Sequence, residues 1–328
     1  MVKIESPLGS TQDRDGGSYK GKSLSAPSVT LWAFLVFMES RELKGIAGIK
    51  IGHVTDLRNA TGCTVVLSQR GAVGGVDVRG SAPGTRETDL LKPGNLINEV
   101  HGVLLSGGSA YGLDAASGVM KYLEEKQVGY RVGKSLVPIV PAAIISDLNI
   151  GNHEVRPSAE DGYRACEAAR SDNLIEGTIG AGTGATVGKA FGLTNATKGG
   201  LGIFSHEIEP GLIILALAVV NSWGDVVDPD TGRIVAGPRD KKRAGFINTM
   251  DSMVNPESAL DPNEIGPGNN TTIGILITNA DLDKSQANKL AGRGQDGIAL
   301  AVRPAHTMVD GDTVFTLATG TWGGETDH

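Results

Sequence analysis

Aromatic residues and cysteines are both scarce in this sequence of 328 residues. The 6 Phe, 5 Tyr and 3 Trp make up 4% of the chain, which favours a core of aliphatic side chains. The 2 cysteines, Cys63 and Cys166, are too few for a disulfide framework and lack the spacing of a zinc site. We expect two small buried hydrophobic residues in a reducing compartment, with a single disulfide as the alternative.

Long basic runs and long apolar runs are also lacking. The 30 Lys and Arg against 37 Asp and Glu give a net charge of −7, which argues against a nucleic-acid-binding protein. The longest apolar runs, Leu212–Val220 and Leu31–Met38, are far shorter than the ~20 residues of a membrane span. No small-residue cleavage site follows the second run, so it is a poor secretory signal. We therefore expect a cytoplasmic protein without a membrane segment.

The amino-terminal residues differ in composition from the rest. Residues 1–27 are rich in Ser, Gly, Lys and Asp, and regular patterning begins only near Gly45. We predict a leader over residues 1–45, disordered or a non-native extension, followed by a single domain over 46–328. Met38 is a candidate for the natural start.

Glycine is in excess, with 47 residues, near twice the usual share of roughly 7%. This predicts many tight turns and close backbone approaches. Short aliphatic runs predict strands at Cys63–Leu67, Val103–Leu105, Ile139–Ile145, Leu212–Asn221, Thr272–Thr278 and Thr313–Ala318. Apolar periodicity predicts helices over Ala110–Glu125, from Ser158, and from Asp283 through Leu290. Buried strands mixed with helices indicate a layered α+β or α/β domain.

The common catalytic motifs do not fit. The stretch Gly177–Lys189 looks like a phosphate-binding loop, but its glycine spacing is wrong and Ala190 stands where a Ser or Thr is required. The segment Gly107–Gly112 is not a nucleophile elbow. The 6 histidines form no HxxxH pair, so no metal site is predicted.

One arrangement is more informative. The turn-rich segment Gly266–Asn270 leads directly into an apolar strand, and Asp310 and Asp312 stand just before another. Residues i and i+2 of an extended segment point to the same side, so these carboxylates could together orient a hydroxyl or an amine. The spacing alone favours a solvated turn.

The segment Asn270–Ile273, taken with Asp310–Asp312, resembles the self-cleaving DmpA-type aminopeptidases. This family includes L-aminopeptidase/D-esterases, β-aminopeptidases and nylon-oligomer hydrolases, and a Thr with paired Asp residues is closest to the nylon-oligomer branch. The likeness covers about Gly48 to Gly320, with further matching blocks at Gly48–His53, Leu105–Gly112, Gly180–Lys189 and Val219–Asn221. The resemblance implies an α+β fold, a four-layer αββα sandwich of the DmpA/ornithine-acetyltransferase-like type, with 46–328 as the catalytic domain.

The resemblance also implies an N-terminal-nucleophile hydrolase that cleaves itself between Asn270 and Thr271, giving 1–270 and 271–328. The freed amine of Thr271, with a reference pKa of about 7.7–8.0, would be the base for its own hydroxyl. No histidine, cofactor or metal is then needed. Asp310 and Asp312 would hold this amine and hydroxyl in position.

Three further residues receive roles from the same resemblance. Asn221 would donate its side-chain amide to the oxyanion, and Lys189 would supply positive charge near the site. Without the resemblance, Asn221 would be a turn residue and Lys189 a solvated loop lysine. The family often has a Tyr near the oxyanion where this sequence has Ser146. Its shorter side chain puts this oxyanion contact in doubt.

Substrate and assembly are implied only by resemblance. We expect hydrolysis of short peptides or linear 6-aminohexanoate oligomers by a homo-oligomer, a tetramer in many relatives. An acyltransferase of the ornithine acetyltransferase type and a non-catalytic binding scaffold are the alternatives.

Overall fold

The computed structural model describes residues 46–241, 244–255 and 270–324. The predicted leader 1–45 and the candidate start Met38 lie outside these ranges. The strands are β1 Ile49–Asp56, β2 Thr61–Val78, β3 Thr85–Arg86, β4 Glu99–Ser106, β5 Tyr130–Val132, β6 Ser135–Val137, β7 Ala142–Ile144, β8 Thr186–Val187, β9 Thr197–Lys198, β10 Gly200–Glu209, β11 Leu212–Asn221, β12 Asp225–Val227, β13 Ile234–Ala236, β14 Thr271–Thr278, β15 Val302–Arg303 and β16 Thr313–Ala318. The helices are α1 Ala115–Glu125, α2 Ala159–Glu167, α3 Thr249–Val254 and α4 Lys284–Ala301.

The long strand β2 belongs to two sets of strands. Its first half, Thr61–Ser68, pairs with β1 and with β4, and β4 continues the set through β7 to β3. Its second half, Val73–Val78, pairs with β16, and the set continues through β14 and β11 to β10. The pairing with β4 is irregular between Leu67 and Ala72. The strand therefore connects two sheets in one hydrogen-bonded network.

Three apolar clusters lie between four layers of structure. Alternate residues of each strand face opposite sides, so Val66 contributes to the cluster between the sheets, whereas Val65 contributes to the cluster beneath α1 and α2. In the second sheet, Ile275 faces the middle cluster and Leu276 faces the cluster beneath α4. The layer order is helices, sheet, sheet, helix, which is the expected αββα sandwich.

Helix α4 covers the sheet that contains β14. It begins with a capping box in which Asp283 and Gln286 exchange side-chain and backbone hydrogen bonds. The sequence predicts this helix only as far as Leu290, because glycines later in the helix weaken the helical pattern. Small residues on its buried face instead allow a close approach, and a Cβ at Gly75 of β2 would lie 2.3 Å from the Ala287 carbonyl carbon.

The remaining strand predictions are confirmed in outline. Each predicted strand overlaps an observed one. Strands β12 and β13 pair as a hairpin after β11. The long strands β1 and β10 are among those that the sequence patterns did not indicate. Cys63 and Cys166 are both free and buried, so the alternative of a disulfide is wrong. No helix within the described ranges is long and apolar enough to cross a membrane.

Candidate active site

The ends of three neighbouring strands bring the candidate residues together. Thr271 is the first residue of β14, whose neighbours in the sheet are β11 on one side and β16 on the other. Across the first pair, Thr271 lies opposite Asn221. On the other side, Asn270 forms a parallel bridge with Asp310. Residues far apart in sequence therefore meet where the ends of these strands lie side by side. Asn221, Asn270, Thr271 and Asp310 are all buried.

The peptide group between Asn270 and Thr271 has two donors on its carbonyl oxygen. The Thr271 hydroxyl donates to the Asn270 carbonyl oxygen. The backbone N–H of Gly311 donates to the same oxygen at 2.9 Å. Both polar atoms of the buried Asn270 side chain lack a hydrogen-bond partner among the described residues. The nucleophile candidate thus lies against the carbonyl group that it would have to attack.

The two aspartates have different partners. Asp312 accepts a hydrogen bond from the backbone N–H of Thr272 at 2.6 Å, whereas Asp310 accepts from the Thr307 N–H at 2.9 Å. Burial and the nearby charge of Asp312 raise the pKa of Asp310. The solvated-turn interpretation is wrong, because Asp310 and Asp312 are each 2% exposed. That Asp310 and Asp312 position the amine and hydroxyl of Thr271 stays a prediction.

Lys189 is buried beside Asn221. Its ammonium donates to the Asn221 carbonyl oxygen at 2.8 Å and to the Asn221 side-chain oxygen at 2.9 Å. Burial lowers the pKa of Lys189 to about 7, and the charge of Asp310 opposes this shift. The preceding Gly188 has a φ of 69°, and a Cβ there would lie 2.3 Å from the Gly237 carbonyl carbon. The interpretation of Lys189 as a solvated loop lysine is therefore wrong.

The backbone of Ser146 contacts the side chain of Asn221. The Asn221 side-chain N–H donates to the Ser146 carbonyl oxygen at 3.2 Å. The next residue, Asp147, accepts from Thr61 at 2.8 Å and from the Gly108 N–H at 2.7 Å, which attaches this loop to the block Leu105–Gly112. A role for the Ser146 hydroxyl in oxyanion binding stays a prediction.

His306 also belongs to this site, although no sequence motif pointed to it. Its Nδ1 lies 2.9 Å from Asp312 Oδ2, and its backbone N–H donates to the same oxygen at 3.0 Å. Its Nε2 lies 3.3 Å from the Gln295 carbonyl oxygen of α4. A search for pairs of histidines could not find it. The available signal was the position of His306 six residues before Asp312 in the same loop.

Comparison with known proteins identifies the family. A model of peptidase family S58 matches residues 42–326. The chain belongs to peptidase family S58. It is accordingly a hydrolase that acts on amide bonds, and the resemblance drawn from Asn270–Ile273 and Asp310–Asp312 is confirmed.

Relatives with two kinds of name are found. An uncharacterized aminopeptidase of Mycobacterium leprae is 44% identical over 300 residues, covering 84% of this chain and 77% of the relative. A 6-aminohexanoate-oligomer endohydrolase of Agromyces sp. is 31% identical over 277 residues, covering 83% of this chain and 73% of the relative.

A solved structure supports the fold. The L-aminopeptidase D-Ala-esterase/amidase of Ochrobactrum anthropi, described as a variant of the Ntn hydrolase fold, matches with a TM-score of 0.63. Its sequence identity is 19%, and the match covers 88% of this chain and 77% of that chain. The expected fold class is thereby confirmed.

Proposed function

We propose that this S58 peptidase is a self-cleaving N-terminal-nucleophile hydrolase whose nucleophile is Thr271. The observation that carries the proposal is the hydrogen bond from the Thr271 hydroxyl to the Asn270 carbonyl oxygen. The Gly311 N–H donates to the same oxygen at 2.9 Å. A hydroxyl next to a polarised carbonyl, in a buried site, has the geometry from which an N-to-O acyl shift can start.

Self-cleavage would proceed in two steps. Thr271 Oγ1 attacks the carbonyl carbon of Asn270, and the Gly311 N–H stabilises the negative charge on its oxygen. The C–N bond then breaks, the Thr271 nitrogen takes up the proton that the hydroxyl gives up, and Asn270 remains as an ester on Thr271 Oγ1. Water hydrolyses the ester, which leaves a carboxylate on Asn270 and a free amine on Thr271.

The cleaved enzyme would then act on amide substrates. The neutral amine of Thr271 accepts the hydroxyl proton as Oγ1 attacks the substrate carbonyl carbon, and the proton passes to the leaving amine. An acyl ester forms on Thr271, and water releases the acid. Asn221 and Lys189 would stabilise the oxyanion by hydrogen bonding and by charge, with Asp310 and Asp312 orienting the nucleophile.

We propose the substrate class from the names of the relatives. We favour short peptides cleaved from their amino terminus, because the aminopeptidase relative is 44% identical whereas the 6-aminohexanoate-oligomer endohydrolase is 31% identical. Linear 6-aminohexanoate oligomers are the second candidate. A tetrameric homo-oligomer remains part of the proposal. In the acyltransferase alternative, an amine in place of water would accept the acyl group from the Thr271 ester.

Replacing the nucleophile tests this function. Intact-mass analysis of the wild type should give fragments of 270 and 58 residues, the smaller beginning with Thr271. Thr271→Ala should remain uncleaved and lose hydrolysis by about a thousandfold or more, because both reactions need the same oxygen. Thr271→Ser is the matched control, since it keeps a hydroxyl and should retain both reactions at a reduced rate.

The substrate panel should contain α-peptides, β-peptides, esters, aminohexanoate oligomers and an amine acceptor. An uncleaved wild type after long incubation at neutral pH would overturn self-cleavage. Full hydrolysis by Thr271→Ala would overturn the assignment of the nucleophile.

A further inference from the structure

The ring of His306 lies between two hydrogen-bond acceptors. Nδ1 faces Asp312 Oδ2 at 2.9 Å, and Nε2 faces the Gln295 carbonyl oxygen at 3.3 Å. A neutral imidazole has one donor nitrogen and one acceptor nitrogen, whereas an imidazolium has two donors. A backbone carbonyl can only accept. With Asp312 as a carboxylate, both contacts are therefore hydrogen bonds only when His306 is an imidazolium.

Asp312 connects this ring to the backbone of the nucleophile strand. One carboxylate oxygen accepts from His306, and the other accepts from the Thr272 N–H at 2.6 Å. The Asp312 side chain is 2% exposed and the His306 side chain 18%. A change at His306 is thus transmitted through one buried carboxylate to the peptide group that follows Thr271.

We infer that His306 is a positioning residue of the active site, which as an imidazolium holds the Asp312 carboxylate against the Thr272 amide and so fixes Thr271. The charges then separate into two pairs. His306 balances Asp312, and the charge of Lys189 offsets that of Asp310, so that two neighbouring carboxylates can both lie in a buried site. The inference deepens the proposed function and rests on it for its kinetic readout.

The charges around His306 agree with a cationic ring. Burial lowers its pKa, but the hydrogen bond and charge of Asp312 outweigh this and leave the pKa above its ordinary value. The charge of Arg79, the residue after β2, lowers the pKa of His306. Arg79 is itself paired with Asp77 at 3.3 Å and with Asp296 of α4 at 3.1 Å, which reduces its effect. Asp310 is the other carboxylate in this loop.

The backbone at His306 supplies a matched pair of variants. Its φ of 56° lies in the left-handed region, which Gly and Asn tolerate better than other residues. His306→Asn keeps an N–H near the place of Nδ1 but cannot titrate. His306→Gly removes the side chain without backbone strain. If His306 served only the loop conformation, the Gly variant would work at least as well as the Asn variant.

We expect His306→Gly to lower kcat about tenfold to a hundredfold at pH 7, because a charge-assisted hydrogen bond to Asp312 is lost. KM should change little. His306→Asn should stay within a few-fold of the wild type. The ratio of wild-type to His306→Asn rates should fall as pH rises through the His306 pKa, since titrations common to both enzymes cancel. Equal kcat values for His306→Gly and His306→Asn, or a flat ratio, would overturn the inference.

A second measurement separates this inference from the proposed function. NMR titration of the histidine side chains in the uncleaved Thr271→Ala chain, with His306 assigned by His306→Asn, should give a His306 pKa above ~6.5. A value below that would overturn the imidazolium whatever the kinetics show. Failure of the wild type to cleave itself would overturn the proposed function while leaving this titration readable.

Discussion

At the scale of single residues, Lys189 combines a buried charge with hydrogen bonds to Asn221. Its ammonium donates to two oxygens of Asn221, and the charge of Asp310 favours the cation, yet burial lowers the pKa of Lys189 to about 7. In the unfolded chain the pKa would be ~10.4. Between these values the unfolded state binds more protons, so stability rises with pH. The cost of the buried charge is present below pH ~7 and is relieved towards pH ~10.

Lys189→Met should therefore change stability in a pH-dependent way. The difference in Tm, variant minus wild type, should decrease as pH rises from about 6.5 to about 9.5, because only the wild type gains stability over that window. Self-cleavage and hydrolysis at pH 7 should fall about tenfold or more, because the positive charge near the oxyanion is lost. Scanning fluorimetry and mass analysis measure the two effects.

The exposed Lys50 on β1 provides a control for removing a lysine charge. Lys50→Met should leave self-cleavage unchanged. A pH-independent Tm difference for Lys189→Met would contradict the account of Lys189 as a destabilising buried charge.

At the scale of elements, the loop before β16 packs tightly on the start of β14. Gly311 stands between the two aspartates, and a Cβ there would lie 2.7 Å from the Ala82 carbonyl oxygen and 3.0 Å from Thr271 Oγ1. A backbone oxygen cannot move as a flexible side chain does, so the loop itself would have to shift. The absence of a side chain at Gly311 sets the distance between the two elements.

Gly311→Ala should slow self-cleavage about tenfold or more and cost about 1–3 kcal/mol of stability, because the added methyl group displaces either the loop or the Thr271 hydroxyl. The time course of fragment formation and urea denaturation of the uncleaved chain measure the two effects. Gly323→Ala is the matched control, since a Cβ there has open space. Cleavage of Gly311→Ala at the wild-type rate would show that the close approach is not required.

The elements differ in how far the sequence could predict them. Buried strands such as β11 and β14 are continuous aliphatic runs, so their positions follow from composition. Strand β10 was missed because its second half, from Ser205 to Glu209, is mostly polar and lies outside the buried core. Helix α4 was cut short because glycines lower helix propensity, although small residues are what lets it approach β2.

The site residues likewise differ in how far the sequence could predict them. Thr271, Asn221 and the aspartates were proposed through a family resemblance carried by short motifs, and strand pairing brings them together. The spacing of His306 and Asp312 shows that they share a loop but not that they touch, because their contact depends on a left-handed backbone conformation at His306. The burial of Lys189 likewise depends on the path of the chain after Gly188, which no local pattern contains.

At the scale of the whole molecule, self-cleavage would cut the chain at the centre of a sheet. The fragment from Thr271 onward contains β14, α4, β15 and β16. Strand β14 pairs with β11 over eight positions, Thr271 to Thr278, and β16 pairs with β2 of the larger fragment. The middle cluster includes Ile275 and Phe315 from the smaller fragment. Neither fragment retains a complete core without the other.

The two fragments should therefore stay associated after cleavage and unfold together. Size-exclusion chromatography in native buffer should give one peak containing both fragments, which separate only under denaturing conditions. Urea unfolding of the cleaved enzyme should be one transition, coincident by fluorescence and by circular dichroism, because the shared sheet and its apolar faces are lost at once. Release of the 58-residue fragment in native buffer, or a separate early transition, would contradict this. In that case the pairing of β14 with β11 would not hold the nucleophile in place once its peptide bond is cut.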